Sequence, residues 1–390
     1  MVNPPRGFLF NALSAGIKKK EDLDLGLIYT DQLATCAGVF TTNLVKAAPV
    51  ILGSKRIKTG RARGVLVNSG CANACTGEEG LKDAEILLQT LAQELNCSAD
   101  DILPASTGVI GERLPLEKIL KNIPKLVQGL SQAKVDLVAQ SMMTTDTFPK
   151  VVSRTVSFKG GEIRITGLAK GAGMIAPNMA TMLAFILTDA SLEAQYLQGL
   201  LAKVVSKTFN RITVDGDTST NDTVYALASN KVALDQKVWE LFETKFLEVC
   251  QELAYLIVKD GEGATKVVRI IVQGTHTEEK ALVLARTVAN SLLVKTAFFG
   301  EDPNWGRILA AMGRSGVDFD PNQVDLWFNQ VQIVKNGLSL GKESEKKAHQ
   351  VMKNKEFTLT IALKEGKAKA TILTNDLSYD YVKINAEYRT

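Results

Sequence analysis

Residues 170–187 constrain this chain more than any other stretch. Lys170-Gly171-Ala172-Gly173-Met174-Ile175-Ala176-Pro177-Asn178-Met179-Ala180-Thr181 begins as a glycine-rich loop and is interrupted by a proline. It then delivers a threonine to the head of the apolar run Met182 to Leu187. Gly171-x-Gly173-x-x-Ala176 after a strand has the spacing of a dinucleotide-binding turn. That motif works through a helix whose N-terminus carries the pyrophosphate. Pro177 falls where the first helical turns should continue, and residues 182–187 have no helical period. The stretch therefore reads as a loop running into a buried strand, and nicotinamide or flavin binding is not expected.

A threonine at a strand start is ordinarily a β-branched strand residue with its hydroxyl on a neighbouring carbonyl. The histidine content sharpens the alternative, because the chain has only two. His276 lies in Thr275-His276-Thr277-Glu278-Glu279 and His349 follows Lys346-Lys347-Ala348, both surface-like settings. Ser-His-Asp and Cys-His mechanisms need a histidine in a shaped site. An N-terminal nucleophile does not: the chain is cut just before Thr, Ser or Cys, and the new α-amine serves as base. Ala180 is small and leaves its carbonyl open to such an attack.

Thr107-Gly108, in the small-residue loop Pro104 to Gly111, offers a hydroxyl and an unhindered N–H for a developing oxyanion. An ordinary turn explains the same residues. Lys170 and Glu262 are single charges in Gly/Ala settings, suited either to a charged substrate or to solvent. Asp215, Asp217 and Asp222 gather in the polar loop 213–222, but the EF-hand spacing and closing glutamate are missing. Cys71 and Cys75 have no second pair and no neighbouring histidine to complete a zinc site. No metal is expected.

Strand patterns occur at residues 25–29, 36–40, 64–67, 151–158, 162–167, 182–188 and 267–272. Helical spacing covers 78–95, 116–130 with a break at Pro124, 133–143, 192–209, 238–258 and 280–295. Alternation at 357–363 and 368–374 predicts a C-terminal hairpin. Interleaved strands and helices make the chain α/β or α+β. With 46 basic against 42 acidic residues it is too balanced to suggest nucleic acid as a partner. No apolar run approaches the ~20 residues of a membrane span, and the N-terminus lacks a signal-peptide pattern. The reading is a cytoplasmic protein without a membrane partner. The five cysteines are an odd set in a long chain, expected as reduced core residues.

Lys170 to Leu183 resembles the cleavage-site signature of the ornithine acetyltransferase (glutamate N-acetyltransferase) family. The resemblance extends through Gly38 to Asn43, Asn68 to Gly77, Ser106 to Gly111, Thr144 to Thr147 and Asp215 to Asp222. It continues through Gly261 to Lys266, Gly300 to Arg307 and Asn385 to Thr390. It implies an α/β fold of the ornithine acetyltransferase/β-aminopeptidase-like type and a precursor that cuts itself between Ala180 and Thr181. Two intertwined chains result, α (1–180) and β (181–390), commonly assembled as an α2β2 heterotetramer. By the same resemblance Thr181 is the nucleophile, and Thr107 and Gly108 form the oxyanion hole. Thr144, Lys170, Thr181, Glu262, Asn385 and Thr390 contact substrate.

The implied reaction moves acetyl from N2-acetyl-L-ornithine to L-glutamate through an acetyl-threonine, within arginine biosynthesis. No bound cofactor is implied. Acetyl-CoA stays open as a second acetyl donor. The competing reading inside the resemblance is a β-aminopeptidase-like hydrolase, in which water replaces the glutamate amine. On the acetyltransferase reading, the glycine loop becomes a flexible arm that presents the scissile bond.

Overall fold

The structure, a computed structural model, describes residues 3–19, 21–176 and 182–387. These divide into two compact units, residues 3–210 with 217–257 and residues 211–216 with 258–387.

The first unit is built on an eight-stranded sheet. Its strands are β1 (Phe8–Leu13), β2 (Leu25–Phe40), β3 (Arg61–Cys71), β4 (Ile102–Val109), β5 (Lys150–Phe158), β6 (Gly161–Lys170), β7 (Leu183–Ser191) and β8 (Thr223–Ala233). They run in the order β4-β3-β2-β8-β7-β6-β5, with β1 paired on β2. β2 joins the two halves of the sheet. Its first part pairs with β1 and β3, its second part with β8, and the β2–β3 register shifts between Tyr29 and Ala34. β7 is buried along almost its whole length, as a strand covered on both faces must be. Helices α1 (Ala48–Arg56), α2 (Gly77–Glu94), α3 (Leu116–Gln128), α4 (Val135–Met142), α5 (Ala194–Lys207) and α6 (Trp239–Lys259) complete the unit.

Two expectations change here. Pro104 to Val109 is a buried strand rather than a loop. Small residues suit it because β4 sits at the sheet edge under α1, and an edge strand tolerates Pro104 without a backbone donor. α3 also runs unbroken through Pro124, since Ile119, Ile123 and Leu126 keep an apolar stripe in the core that offsets one missing N–H.

The second unit has a six-stranded sheet. Its strands are β9 (Val267–Thr275), β10 (Asp325–Phe328), β11 (Val331–Lys335), β12 (Leu338–Ser339), β13 (Glu356–Ala362) and β14 (Ala368–Asn375). The order is β12-β11-β10-β13-β9-β14. Helices α7 (Glu278–Ala289), α8 (Leu292–Phe299), α9 (Trp305–Gly313), α10 (Lys342–Met352) and α11 (Tyr379–Glu387) belong to it.

The expected hairpin of 357–363 and 368–374 is overturned. Both strands exist, but β9 lies between them, parallel to β13 and antiparallel to β14. Alternation assigns a strand's faces and says nothing of its neighbours. The single helix expected over 280–295 is also two, because the Ser291 hydroxyl accepts the Val294 N–H and so caps a new helix, α8.

Interleaving at this level meets the α/β expectation. Among the described residues no single helix is long and apolar enough to cross a membrane.

Candidate active site

Thr107 and Gly108 lie near the end of β4, where its parallel ladder with β3 loses register between Gly70 and Cys71. Gly108 has φ +133°, and a Cβ there would stand 2.3 Å from the Gly70 carbonyl carbon. Only glycine fits so close a backbone approach. Such irregularities release backbone groups from the ladder and re-aim them. The Asn221 amide locks the surroundings, donating to Ala72 O at 2.7 Å and Ser106 O at 2.9 Å.

Lys170 ends β6 and is only 3% exposed. Its Nζ donates to Thr144 Oγ1 at 2.9 Å and Thr107 Oγ1 at 3.4 Å. The expected substrate contact Thr144 and the expected oxyanion donor Thr107 therefore share a single lysine, itself an expected substrate contact. A hydroxyl that accepts from an ammonium keeps its own proton free for another acceptor, as an oxyanion donor requires.

Asp146 stands behind this group. Its carboxylate accepts from Lys150 Nζ at 2.7 Å and Gly171 N at 2.7 Å, and lies 3.8 Å from Lys170 Nζ. Burial alone would push Asp146 up. The charges of Lys170 and Lys150, with hydrogen bonds from Lys150 and Gly171, outweigh burial and bring it down to about 2. One buried carboxylate thus faces two ammonium groups, an electrostatic setting that favours a substrate anion.

Lys170 pairs in register with Leu183, so residues 171–182 leave and rejoin the sheet at neighbouring strand ends. The described part of this segment, residues 171–176, is largely buried. Ala172, Ile175 and Ala176 are buried, and Met174 adopts a left-handed φ of +56°. A non-glycine residue held there stores backbone strain of order 1–3 kcal/mol. Where the chain returns, Met182 N donates to Asp222 Oδ1 at 3.0 Å. Asp222 is fully buried, and its Oδ2 has no hydrogen-bond partner among the described residues. Burial pushes this carboxyl well above the usual range, against the pull of the Met182 N–H and the Lys170 charge.

In the second unit, Glu262 sits between Gly261 and Gly263 and is 8% exposed. Asn385 Nδ2, on α11, donates to Glu262 Oε2 at 2.7 Å. Two further expected substrate contacts are therefore joined to each other.

Ala180, Thr181 and Thr390 lie outside the described residues, as does Pro177. In the 213–222 loop, Asp222 accepts from Met182 N. Among the described residues no three His, Cys, Asp or Glu side chains come together as metal ligands would. His276 is exposed, and His349 Nδ1 meets Glu301 O at 2.7 Å; both belong to the second unit. Sequence reasoning passed over Asp146, Lys150 and Asn221. The four-residue spacing of Asp146 and Lys150 was visible, but nothing in it announced burial.

A close-packed glycine beside a threonine hydroxyl, with a buried cation at the foot of a strained loop, suits an α/β enzyme of the acyl-transfer class. The family model described as "ArgJ family" matches residues 9–390. The chain belongs to the ArgJ family. The arginine biosynthesis bifunctional protein ArgJ of Desulfotalea psychrophila is 51% identical over 390 residues, 99% of each chain. That of Geobacter sulfurreducens is 50% identical over 390 residues, again 99% of each. A crystal structure of arginine biosynthesis bifunctional protein ArgJ from Bacillus halodurans is 38% identical with a TM-score of 0.50. It covers 52% of this chain and 98% of its own.

Proposed function

We propose that this protein is a self-processing glutamate N-acetyltransferase of arginine biosynthesis, working through Thr181. The observation that carries the reading is the pairing of Lys170 with Leu183. With Lys170 beside Thr144 and Thr107, this pairing supports a cut in segment 171–182 next to that cluster.

In maturation, the Thr181 hydroxyl attacks the Ala180 carbonyl and expels its own amine, giving an ester. Water then hydrolyses the ester to yield α (1–180) and β (181–390) chains. The Bacillus halodurans chain, matched over nearly its full length yet spanning about half of this one, supports a split precursor. In turnover, Thr181 takes acetyl from N2-acetyl-L-ornithine and releases ornithine. The α-amine of L-glutamate then attacks the acetyl-threonine. Thr107 and the Gly108 N–H stabilise each tetrahedral oxyanion. Lys170 and Thr144 hold the substrate carboxylate, and Glu262 with Asn385 its ammonium. Thr390 completes the substrate contacts.

The protein acts on small molecules without a bound cofactor, in the cytoplasm and as an α2β2 assembly. Acetyl-CoA serves as a second donor if acetylglutamate forms from acetyl-CoA and glutamate alone. Denaturing gels test the first step. Wild-type protein should run as two fragments and Thr181→Ala as one. A full-length wild type, or a Thr181→Ala variant that still splits, rejects the mechanism. Free acetate in place of acetylglutamate would instead make the enzyme a hydrolase.

A further inference from the structure

Lys295 is a lysine buried where no substrate contact is assigned. It lies on α8, is 1% exposed, and points its Nζ at the end of β14. There it donates to Thr374 Oγ1 at 2.9 Å, to Asn375 Oδ1 at 2.8 Å and to the Asn375 carbonyl. All three partners are neutral. Burying an ammonium without a carboxylate in contact is costly, and such a group is retained where its geometry matters.

What these partners hold is the loop of Glu262. A Cβ on Gly261 would stand 2.0 Å from Asn375 Nδ2, so the Asn375 amide lies directly against that backbone. Asp376, the next residue, accepts from Thr265 N at 2.8 Å and Lys266 N at 2.9 Å. Ser378 Oγ donates to Gly263 O at 2.6 Å, and Leu377 N donates back to Lys295 O at 3.2 Å. Both flanks of Glu262 are thus packed on residues 375–378, and Lys295 is the group that fixes where that segment starts.

We infer that Lys295 is a positioning residue for Glu262, setting the place of the carboxylate that receives the substrate ammonium. The inference rests on the acetyltransferase reading for the role of Glu262. As an ammonium, Lys295 has three N–H donors for three acceptors; as an amine it keeps two and turns a lone pair on the third. Burial lowers it to about 7, against the charges of Asp376 at the end of β14 and Asp215 in the 211–216 loop. The grip is therefore complete below neutrality and loosens as pH rises through 7.

The test is the KM for N2-acetylornithine from pH 6 to 8.5, measured with kcat on the cleaved enzyme. In the wild type KM should rise about three- to tenfold across this range, the equivalent of one hydrogen bond. Lys295→Met should give a high KM that does not change with pH, with kcat nearly preserved. Asn375→Asp, which places a carboxylate against Nζ, should shift the rise to higher pH and serves if Lys295→Met does not fold. A wild-type KM profile in Lys295→Met, or an unmoved profile in Asn375→Asp, overturns the inference. Absence of acetyl transfer in the wild type rejects the acetyltransferase reading instead; normal transfer with unmoved profiles rejects only the role of Lys295.

Discussion

Thr107 carries two functions on one hydroxyl, and a single substitution removes them together. Its hydroxyl oxygen accepts from Lys170, and on the proposed mechanism its proton is offered to the oxyanion. Thr107→Val keeps the β-branched shape in a buried strand and removes both. We expect kcat to fall about 10²–10³-fold with little change in KM, as for loss of one oxyanion donor. Steady-state kinetics with acetylornithine decide it, and an unchanged kcat would remove Thr107 from the site.

Asp146 makes a different prediction because its charge is structural. Asp146→Asn leaves Lys150 and Lys170 buried without their shared carboxylate, a loss of ~3–5 kcal/mol. A fall in Tm at pH 7 checks this. The pH dependence has a defined sign. With its folded value depressed to about 2 from an ordinary 3.8, Asp146 stabilises the fold above pH ~4. That contribution is lost as pH falls from ~4 towards 2, so acid unfolding of the wild type should be steeper there than that of Asp146→Asn. At this scale the sequence displayed the residues with local peculiarity: a lysine among glycines, a threonine behind a proline, a glycine after a threonine. It could not display Asp146, Lys150 or Asn221, whose importance comes from burial and from partners brought near by folding.

Among elements, α11 supplies the clearest test. The helix buries none of its described residues, yet its Asn385 reaches Glu262. Asn385→Ala should leave Tm within about 1 °C, since surface substitutions cost little. KM for acetylornithine should rise several-fold as Glu262 loses its orienting donor, roughly one hydrogen bond. An unchanged KM would show that the bond does not steer Glu262. Most elements were legible from periodicity, including α2, α6 and β7. The failures have specific causes. β4 was read as a loop because small residues hide a strand that packs tightly, and β13 and β14 were paired wrongly because register depends on a third strand. β8 was missed because it follows directly on a polar loop, although Thr223-Val224-Tyr225-Ala226-Leu227 carries strand-forming residues.

For the whole molecule, the sheet order of the first unit matters most. β7 and β8 follow the proposed cut, yet they are flanked by β2 and β6, which precede it. The α and β chains should therefore stay together after processing and part only on denaturation, which native and denaturing gels run side by side will show. Separation of the fragments under native conditions would contradict the arrangement. The sequence resemblance implied the cut and two intertwined chains; if the cut occurs, the strand order gives that intertwining its physical form.

With the proposed cut, the same interleaving turns maturation into a change of molecularity. Before the cut, placing β7 and β8 inside the sheet is a first-order event within one chain. Afterwards, two separate chains must find each other, and the equilibrium acquires a concentration term. Refolding of Thr181→Ala from denaturant should proceed with a yield independent of dilution. The processed enzyme should recover progressively less as it is diluted, so its persistence depends on how slowly it unfolds.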